Sequence, residues 1–284
     1  MLSSAGGFGA VNSRIHAHLQ RWLRDTAAEL VARRSATLGE VHEETLACTD
    51  NLIQLLGHQG MPKEAAALSA AALQLRRAAL GEDHPATLAA GHFLGMNLWI
   101  QGQFEGAESQ LRDVLARRSR VLGEAHRDTH MTRKHLGILA HYCGRLEEAE
   151  VLLRAAARGH AAALGDAHPD TLASRLNLGI LLRSTAQTAP ALAESEALLR
   201  QVLAARRDAL GGLHPQTLDA CFQVALSLVM RGELAEAEAL AAESYAGRVE
   251  VLGEGHYRTQ QSAQELQRIQ QLRRDETEQA PAAA

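Results

Sequence analysis

The sequence predicts an all-α protein that is built from repeated pairs of helices. One observation is the composition: Ala and Leu dominate, strong helix formers such as Glu, Arg and Gln are common, and aromatic residues make up only 3%. No stretch shows the alternating pattern of a β-strand. The second observation is a phrase that returns along the chain. "LGEDHPATL" at 80–88 recurs as "LGEAHRDTH" at 122–130, "LGDAHPDTL" at 164–172 and "LGGLHPQTL" at 210–218.

The repeat has a nearly constant period. Leu-Gly pairs occur at 38–39, 80–81, 122–123, 164–165, 210–211 and 252–253, so that successive copies are 42 residues apart, with one interval of 46. A signature histidine stands three residues after each Gly: His42, His84, His126, His168, His214 and His256. A threonine follows three residues later: Thr45, Thr87, Thr129, Thr171, Thr217 and Thr259. A fixed period of this length is typical of stacked helix-pair repeats.

Each repeat divides into two helices, as the stretch 84–123 illustrates. Pro85 suits the first turn of a helix, where a missing N–H is no loss. Helix A is predicted from Thr87 to Gln101, and Gly102 ends it. Helix B is predicted from Phe104 to Val121, before Gly123. The same break between helices recurs at Gly60, Gly102, Gly144 and Gly232. The signature His then lies just before helix A, where its ring can cap backbone groups or pack on the preceding helix, and the Thr can hydrogen-bond in the first turn.

Small residues recur where the two helices of a pair would cross. They stand eleven residues after the signature His at Gly95, Gly137, Gly179 and Ala225. They stand at the facing position of helix B at Ala65, Ala107, Ala149, Ser195 and Ala237. A larger side chain at these positions would push helix A away from helix B.

The pattern is irregular in three places. The segment "STAQTAP" at 184–190 makes its repeat four residues longer and predicts an enlarged turn between helices A and B. Residues 1–19 are predicted to be an irregular segment or cap, followed by a partial first unit whose helix B lies at 24–40. A last polar helix is expected from 257, as a repeat array needs at its end, and a disordered tail at 273–284.

These features resemble the tetratricopeptide repeat family. The 42-residue unit is similar to the kinesin-light-chain type of this repeat, with its clearest copies in "LGDAHPDTLASRLNLGILL" at 164–182 and "GRLEEAEVLLRAAA" at 144–157. The resemblance covers about residues 20–272. It implies a right-handed superhelical solenoid of antiparallel helix pairs, with a partial first unit, about five full units and a terminal capping helix.

The resemblance also implies where a ligand binds. Such arrays line their inner groove with the A helices. The resemblance places the ligand-facing side chains eight and nine residues after the signature His. An Asn at the second position often binds peptide backbone in this family. The pairs here are Asp50/Asn51, His92/Phe93, Lys134/His135, Leu176/Asn177 and Phe222/Gln223. We therefore expect a peptide-binding groove with Asn51, His92, Lys134, His135, Asn177, Phe222 and Gln223 as contacts, in which Lys134 anchors a carboxylate. The alternative is that these are ordinary exposed helix residues.

A second ladder of similar side chains runs near the ends of the B helices. Its members are Arg34, Arg76, Arg118, His160, Arg206 and Arg248. We expect them to satisfy late helix carbonyls and to pair with Glu of the next joint. The alternative is a basic stripe for an acidic partner.

Composition and motifs argue against several other functions. The net charge of −4 gives no drive towards nucleic acid or anionic membrane. No basic and apolar leader and no apolar run of membrane-spanning length is present, and the three scattered cysteines are typical of small buried residues in a reducing compartment, so a cytoplasmic location is expected. No phosphate-binding loop, HExxH or paired-cysteine motif occurs. The sequence therefore predicts no catalytic residue, no metal site and no cofactor.

The preferred interpretation is a non-catalytic protein–protein interaction scaffold that holds a peptide or protein partner in its groove. The alternative is a repeat-sensor fragment of a larger signalling or nucleotide-binding regulator. A motor-associated light chain would also carry a heptad region, and no heptad run is present.

Overall fold

The computed structural model describes residues 5–186 and 188–279, and these contain twelve helices and no strand. The first six are α1 (Ala5–Leu38), α2 (Glu43–His58), α3 (Pro62–Leu80), α4 (Pro85–Ile100), α5 (Phe104–Val121) and α6 (Arg127–Tyr142). The others are α7 (Leu146–Leu164), α8 (Pro169–Thr185), α9 (Ala189–Leu210), α10 (Pro215–Arg231), α11 (Leu234–Leu252) and α12 (Tyr257–Gln279). The A helices are α2, α4, α6, α8, α10 and α12, and the B helices are α3, α5, α7, α9 and α11. The all-α helix-pair prediction is confirmed.

The chain forms two compact units, an N-terminal unit over Met1–Gly144 and a C-terminal unit over Arg145–Ala284. In the N-terminal unit each helix from α1 to α6 packs on the next one along the chain, and the A helices α2, α4 and α6 also touch in sequence. In the C-terminal unit α7 to α12 pack in the same consecutive manner, and α8 touches α10. Each unit is thus a row of A helices backed by B helices.

The recurring phrase is the joint between a B helix and the next A helix. Gly81 leaves α3 with φ +87°, a backbone conformation that favours glycine. Each signature His is the N-cap of its A helix, and its Nδ1 accepts a hydrogen bond from the backbone N–H two residues later, at 3.1–3.3 Å in all six copies. The capping role predicted for these histidines is confirmed.

The signature threonines act differently from the prediction. Instead of bonding within the first turn, the Thr87 hydroxyl donates to the Gly81 carbonyl at 2.8 Å, and Thr129 and Thr171 do the same at Gly123 and Gly165. Each therefore ties the start of an A helix to the end of the preceding B helix. In these three copies the Gly, His and Thr of the phrase together make one connection. Thr217 and Thr259 donate instead to the carbonyls of Arg206 and Arg248 at 3.3 Å, and the Thr45 hydroxyl makes no hydrogen bond with the described residues.

The small residues lie at close helix crossings. A Cβ added to Gly95 would stand 2.7 Å from Cγ of Leu111, and one added to Gly179 would stand 2.8 Å from Cδ2 of Leu199. Ala65 and Ala107 are fully buried. The interiors of both units depend on these contacts between helix A and helix B.

Three sequence predictions differ from the structure. Helix α8 ends at Thr185 and α9 begins at Ala189, so the four additional residues mainly lengthen the helices, and α9 has 22 residues where α5 has 18. Residue 187, between α8 and α9, lies outside the described residues. Helix α1 begins at Ala5, so residues 5–19 are helical and not irregular, while 1–4 lie outside the described residues. Helix α12 continues to Gln279, so 273–279 are not a disordered tail, and 280–284 lie outside the described residues.

Candidate functional site on the A helices

The predicted groove residues lie on the A helices, but the two members of each pair differ in exposure. Asn51 is exposed on α2, and Phe93, His135, Asn177 and Gln223 are partly exposed on α4, α6, α8 and α10. These side chains, each nine residues after a signature His, form what we call the A-helix row. The N-terminal unit carries Asn51, Phe93 and His135, and the C-terminal unit carries Asn177 and Gln223.

The first member of most pairs is buried, which corrects the prediction for three residues. His92 is 5% exposed, Lys134 is 7% exposed and Phe222 is 3% exposed. Phe222 lies under the guanidinium of Arg248, whose Cζ is 4.9 Å from the ring centroid. These side chains pack inside their units, so they do not present a surface that a peptide could touch, and the burial of Lys134 argues against its predicted role as a carboxylate anchor.

Buried polar side chains connect the A helices of the N-terminal unit. His92 Nε2 lies 3.0 Å from His135 Nδ1, and His92 Nδ1 lies 3.5 Å from the Thr132 hydroxyl. That hydroxyl accepts a hydrogen bond from Arg118 at 2.9 Å. Burial, together with the nearby charges of Arg118 and Lys134, holds the pKa of His92 well below its usual range, so His92 is neutral at pH 7. The network positions the ring of His135 in the A-helix row.

In the C-terminal unit, the row contains a buried amide oxygen. The Gln223 Oε1 atom is buried and accepts no hydrogen bond from the described residues. The backbone carbonyl of Gln223 accepts a bond from Arg183 Nη1 at 2.9 Å. Burial lowers the pKa of Arg183 to about 10, which leaves it charged at pH 7, while the charge of Glu265 acts in the opposite direction. Asn177 donates its amide to the Ala173 carbonyl at 2.8 Å.

Sequence reasoning missed Arg183 and Glu265. Glu265 stands nine residues after the signature His256, so the rule that found Gln223 would also have found Glu265 if it had been applied to the last helix. Arg183 does not stand eight or nine residues after a signature His, so the rule could not select it. Only the packing of α8 against α10 reveals its contact with the Gln223 carbonyl.

The arginine ladder is an internal brace, so its interpretation as a basic surface stripe is wrong for the residues that are buried. Nη1 of each of four arginines donates to the carbonyl of the residue ten positions ahead, in the first turn of the next A helix, at 2.7–2.9 Å: Arg76, Arg118, Arg206 and Arg248. Arg76 is fully buried and also pairs with Asp50 at 2.8 Å. His160 takes the same place and contacts the Ser174 hydroxyl at 2.8 Å. The prediction was that the ladder would bond carbonyls at the end of its own B helix, whereas these carbonyls lie at the start of the next A helix. Of the ladder residues, only Arg34 forms the predicted pair with a Glu of its joint, Glu44.

The described residues lack a cluster of metal ligands, a membrane-spanning helix and a disulfide bond. Within them no three His, Cys, Asp or Glu side chains group as metal ligands would, and no helix is long and apolar enough to cross a membrane. All three cysteines are unbridged. Cys221 is buried as predicted, and burial raises the pKa of its thiol to about 12. Cys48 is partly exposed and Cys143 is exposed, which contradicts the prediction of buried cysteines.

The family follows from these repeats and from comparison with known sequences. Sequence models of the tetratricopeptide repeat match residues 45–120, 131–170 and 217–258, together more than half of the chain. The chain belongs to the tetratricopeptide repeat family. Tetratricopeptide repeats generally mediate protein–protein interactions. A search of curated proteins finds no match.

Solved structures with a similar fold include kinesin-light-chain repeats. One crystal structure of nearly identical repeats from a Podosopora anserina kinesin light chain is 25% identical, with a TM-score of 0.58, over 72% of this chain and 95% of that one. The BtubC protein (BKLC) of P. vanneervenii is 16% identical, with a TM-score of 0.66, over 84% of this chain and 93% of that one. The apo form of RapI is 13% identical, with a TM-score of 0.57, over 89% of this chain and 96% of that one. The last two similarities concern the fold alone.

Proposed function

We propose that this tetratricopeptide repeat chain is a non-catalytic scaffold that binds extended peptide segments of a partner protein along the part of the A-helix row that each unit carries. The observation that carries the proposal is the recurrence of accessible hydrogen-bonding side chains at one position of successive A helices. These are Asn51, His135, Asn177, Gln223 and Glu265.

Amide side chains suit recognition of a peptide backbone. An amide carries both a donor and an acceptor, so it can bond a peptide unit whatever side chain the peptide presents there. Phe93 adds an apolar contact in the N-terminal unit. Recognition would therefore depend mainly on backbone bonds and shape.

The expected affinity is modest. Each hydrogen bond contributes about 0.5–1.5 kcal/mol net, so two or three amide contacts support binding on the order of micromolar when apolar contacts accompany them. Tighter binding would require the peptide to engage several repeats at once.

An array of immobilised short peptides, probed with the whole chain, tests the proposal. Peptides that bind the wild type should lose most of their signal with the triple variant Asn51→Ala/Asn177→Ala/Gln223→Ala. The matched control is Gln74→Ala/Gln201→Ala, which removes exposed amides from B helices α3 and α9 and should leave binding unchanged.

Circular dichroism of both variants establishes that the helices are intact. Equal binding by the triple variant and the wild type would place the site elsewhere on the molecule. Loss of binding in the control variant alone would do the same.

A further inference from the structure

We propose that a cleft between B helices α7 and α9, over A helix α8, is a second binding site, which takes an apolar side chain flanked by carboxylates on an acidic peptide. The cleft has a volume of about 360 Å³, within the range of about 300–1,000 Å³ that is usual for ligand pockets. Its apolar lining is Ala157, Ala161, Leu178 and Leu198. Its charged lining is Arg154, Arg158, Arg175 and Glu194. We call it the α7–α9 cleft.

Comparison with the other repeats explains why the cleft is open. The residue that aligns with Ala157 is larger in every other B helix: Leu73, Leu115, Leu203 and Tyr245. The residue that aligns with Ala161 is Arg77, Ser119, Arg207 or Val249. In the N-terminal unit the equivalent cleft between α3, α4 and α5 is lined by Leu73 and Arg77 and has a volume of only about 10 Å³. Loss of these two side chains in α7 creates the cavity.

Helix α7 also carries a positive charge, at Arg158, next to the small side chain of Ala157. Arg158 aligns with Gln74, Ala116, Ala204 and Ala246, so a positive charge occurs at this position in α7 alone among the B helices. Arg158 is exposed and makes no hydrogen bond or ion pair with the described part of the chain. A guanidinium without a partner beside an apolar cavity is suited to a carboxylate of a bound ligand.

The remaining charges of the lining are engaged within the C-terminal unit. Arg154 forms a two-bond pair with Glu194, at 2.6 and 3.0 Å, and bonds Glu150 at 2.8 Å. The next B helix repeats this arrangement, because Arg200 bonds Glu196 and Glu236 in the same way, so the Arg154 pair is part of the scaffold. Arg175 pairs with the exposed Asp166. Glu150, Glu194 and Asp166 thus neutralise Arg154 and Arg175, and Arg158 is the cation of the lining that is left for a ligand.

These properties together define the ligand. The Ala157 and Leu178 side chains offer a dry floor for a Phe or Leu side chain, whose burial drives binding. A carboxylate beside that residue would meet the guanidinium of Arg158. A basic peptide would be repelled, and an acidic peptide without an apolar residue would leave the cavity unfilled.

A defined peptide tests the proposal by fluorescence anisotropy. The probe is a fluorescein-labelled peptide with one Phe flanked by two Glu on each side. Two control peptides carry Lys in place of Glu or Ala in place of Phe. The wild type should bind the Glu-Phe peptide about tenfold or more tightly than either control, a difference of about 1.4 kcal/mol.

Ala157→Leu should weaken binding of the Glu-Phe peptide by about tenfold or more, because it restores the residue that closes the equivalent cleft. Arg158→Ala should weaken it several-fold and reduce its salt dependence. The matched control for charge is Arg33→Ala, which removes an exposed arginine of α1 and should have no effect. Because three other B helices carry Leu at this position, Ala157→Leu should fold, and a thermal melt checks this.

The outcomes separate this site from the A-helix row. Binding that survives in Ala157→Leu and in Arg158→Ala overturns the inference, and so does equal binding of the three peptides. Loss of binding in the triple variant Asn51→Ala/Asn177→Ala/Gln223→Ala, without loss in Ala157→Leu, would assign the peptide to the row and would also overturn it. If Ala157→Leu unfolds, methyl NMR of the wild type decides: shifts of Leu178 and Leu198 methyls on titration support the cleft, and unshifted methyls refute it.

Discussion

The crossing of α4 and α5 allows a sharp test of how the helix pairs pack. Gly95→Ala adds a single methyl group where the structure leaves no room. The added Cβ would stand 2.7 Å from Cγ and 2.9 Å from Cδ2 of Leu111, and 3.4 Å from the Ala107 carbonyl oxygen. Leu111 is fully buried, so it moves only if its neighbours move. Overpacking of this kind costs about 1–3 kcal/mol.

The same substitution also has a favourable effect, which a matched variant removes. Alanine stabilises the interior of a helix by about 0.5–1 kcal/mol relative to glycine. Gly106→Ala, in the first turn of α5, has part of this benefit without the clash, because its Cβ would meet only Leu98 Cδ1 at 3.7 Å, an ordinary contact. The difference in free energy of unfolding between the two variants therefore isolates the packing cost, about 1–3 kcal/mol. Gly106→Ala should be more stable than the wild type.

Urea denaturation followed by tryptophan fluorescence is the appropriate assay. Both tryptophans, Trp22 and Trp99, lie in the N-terminal unit, and Trp99 is on the same helix as Gly95. For each variant, the urea midpoint multiplied by the dependence of the free energy on urea concentration gives the free energy of unfolding in water. Because repeat proteins can unfold in parts, equal slopes for the two variants are required before the comparison is made. If Gly95→Ala is as stable as Gly106→Ala, the close approach of α4 and α5 is wrong.

Three other predictions follow from buried polar contacts. Arg76→Ala should lower the free energy of unfolding by about 3–5 kcal/mol, because it leaves the largely buried Asp50 unpaired. Arg77→Ala breaks only an exposed ion pair and should lower it by well under 1 kcal/mol. Urea denaturation of both variants compares the two losses. Burial holds the folded-state pKa of His92 below its unfolded value. The contribution of His92 to the free energy of unfolding should therefore be fully present above about pH 6.5, and it should decrease below that pH by up to about 1.4 kcal/mol per pH unit. Burial also lowers the pKa values of His130 and His141, so part of the pH dependence should remain in His92→Leu. A urea midpoint that is constant between about pH 7.5 and 5, or a pH dependence as steep in His92→Leu as in the wild type, would contradict this. His84→Ala should lose the cap of α4 at about 0.5–2 kcal/mol, and His84→Asn should recover most of it; identical thermal melts for the two variants would show that the cap is not needed.

The helices and their order could be predicted from the sequence because each depends on nearby residues. The helix predicted from Phe104 to Val121 is α5 without any change, and helix A of the same repeat differs from α4 by only two residues at its start and one at its end. The signature His caps the helix that follows it, and Gly81 and Gly102 each allow a backbone conformation that an L side chain rarely adopts. Such interactions act within one turn of helix, so a repeated phrase is enough to reveal them.

The candidate site was only half predictable. Counting from the signature His found the row that holds Asn51, Asn177 and Gln223. It also selected His92 and Phe222, because position along a helix does not determine which side chains the next helix covers. Arg183 and its bond to the Gln223 carbonyl join residues 40 positions apart, and only packing brings them together.

The sequence by itself determined the fold class, the period and the joints of this protein, since these depend on backbone conformations and caps that are local in the chain. Only the tertiary structure decided where space and charge remain. The four residues added near 184–190 lengthened helices instead of a loop, and Pro190 lies in the first turn of α9, where its missing N–H is no loss. The arginine ladder became a buried brace, because its guanidinium groups reach carbonyls of the next A helix. The α7–α9 cleft is open because Ala157 and Ala161 are too small to fill the space between three helices, and that space exists only when the helices pack together.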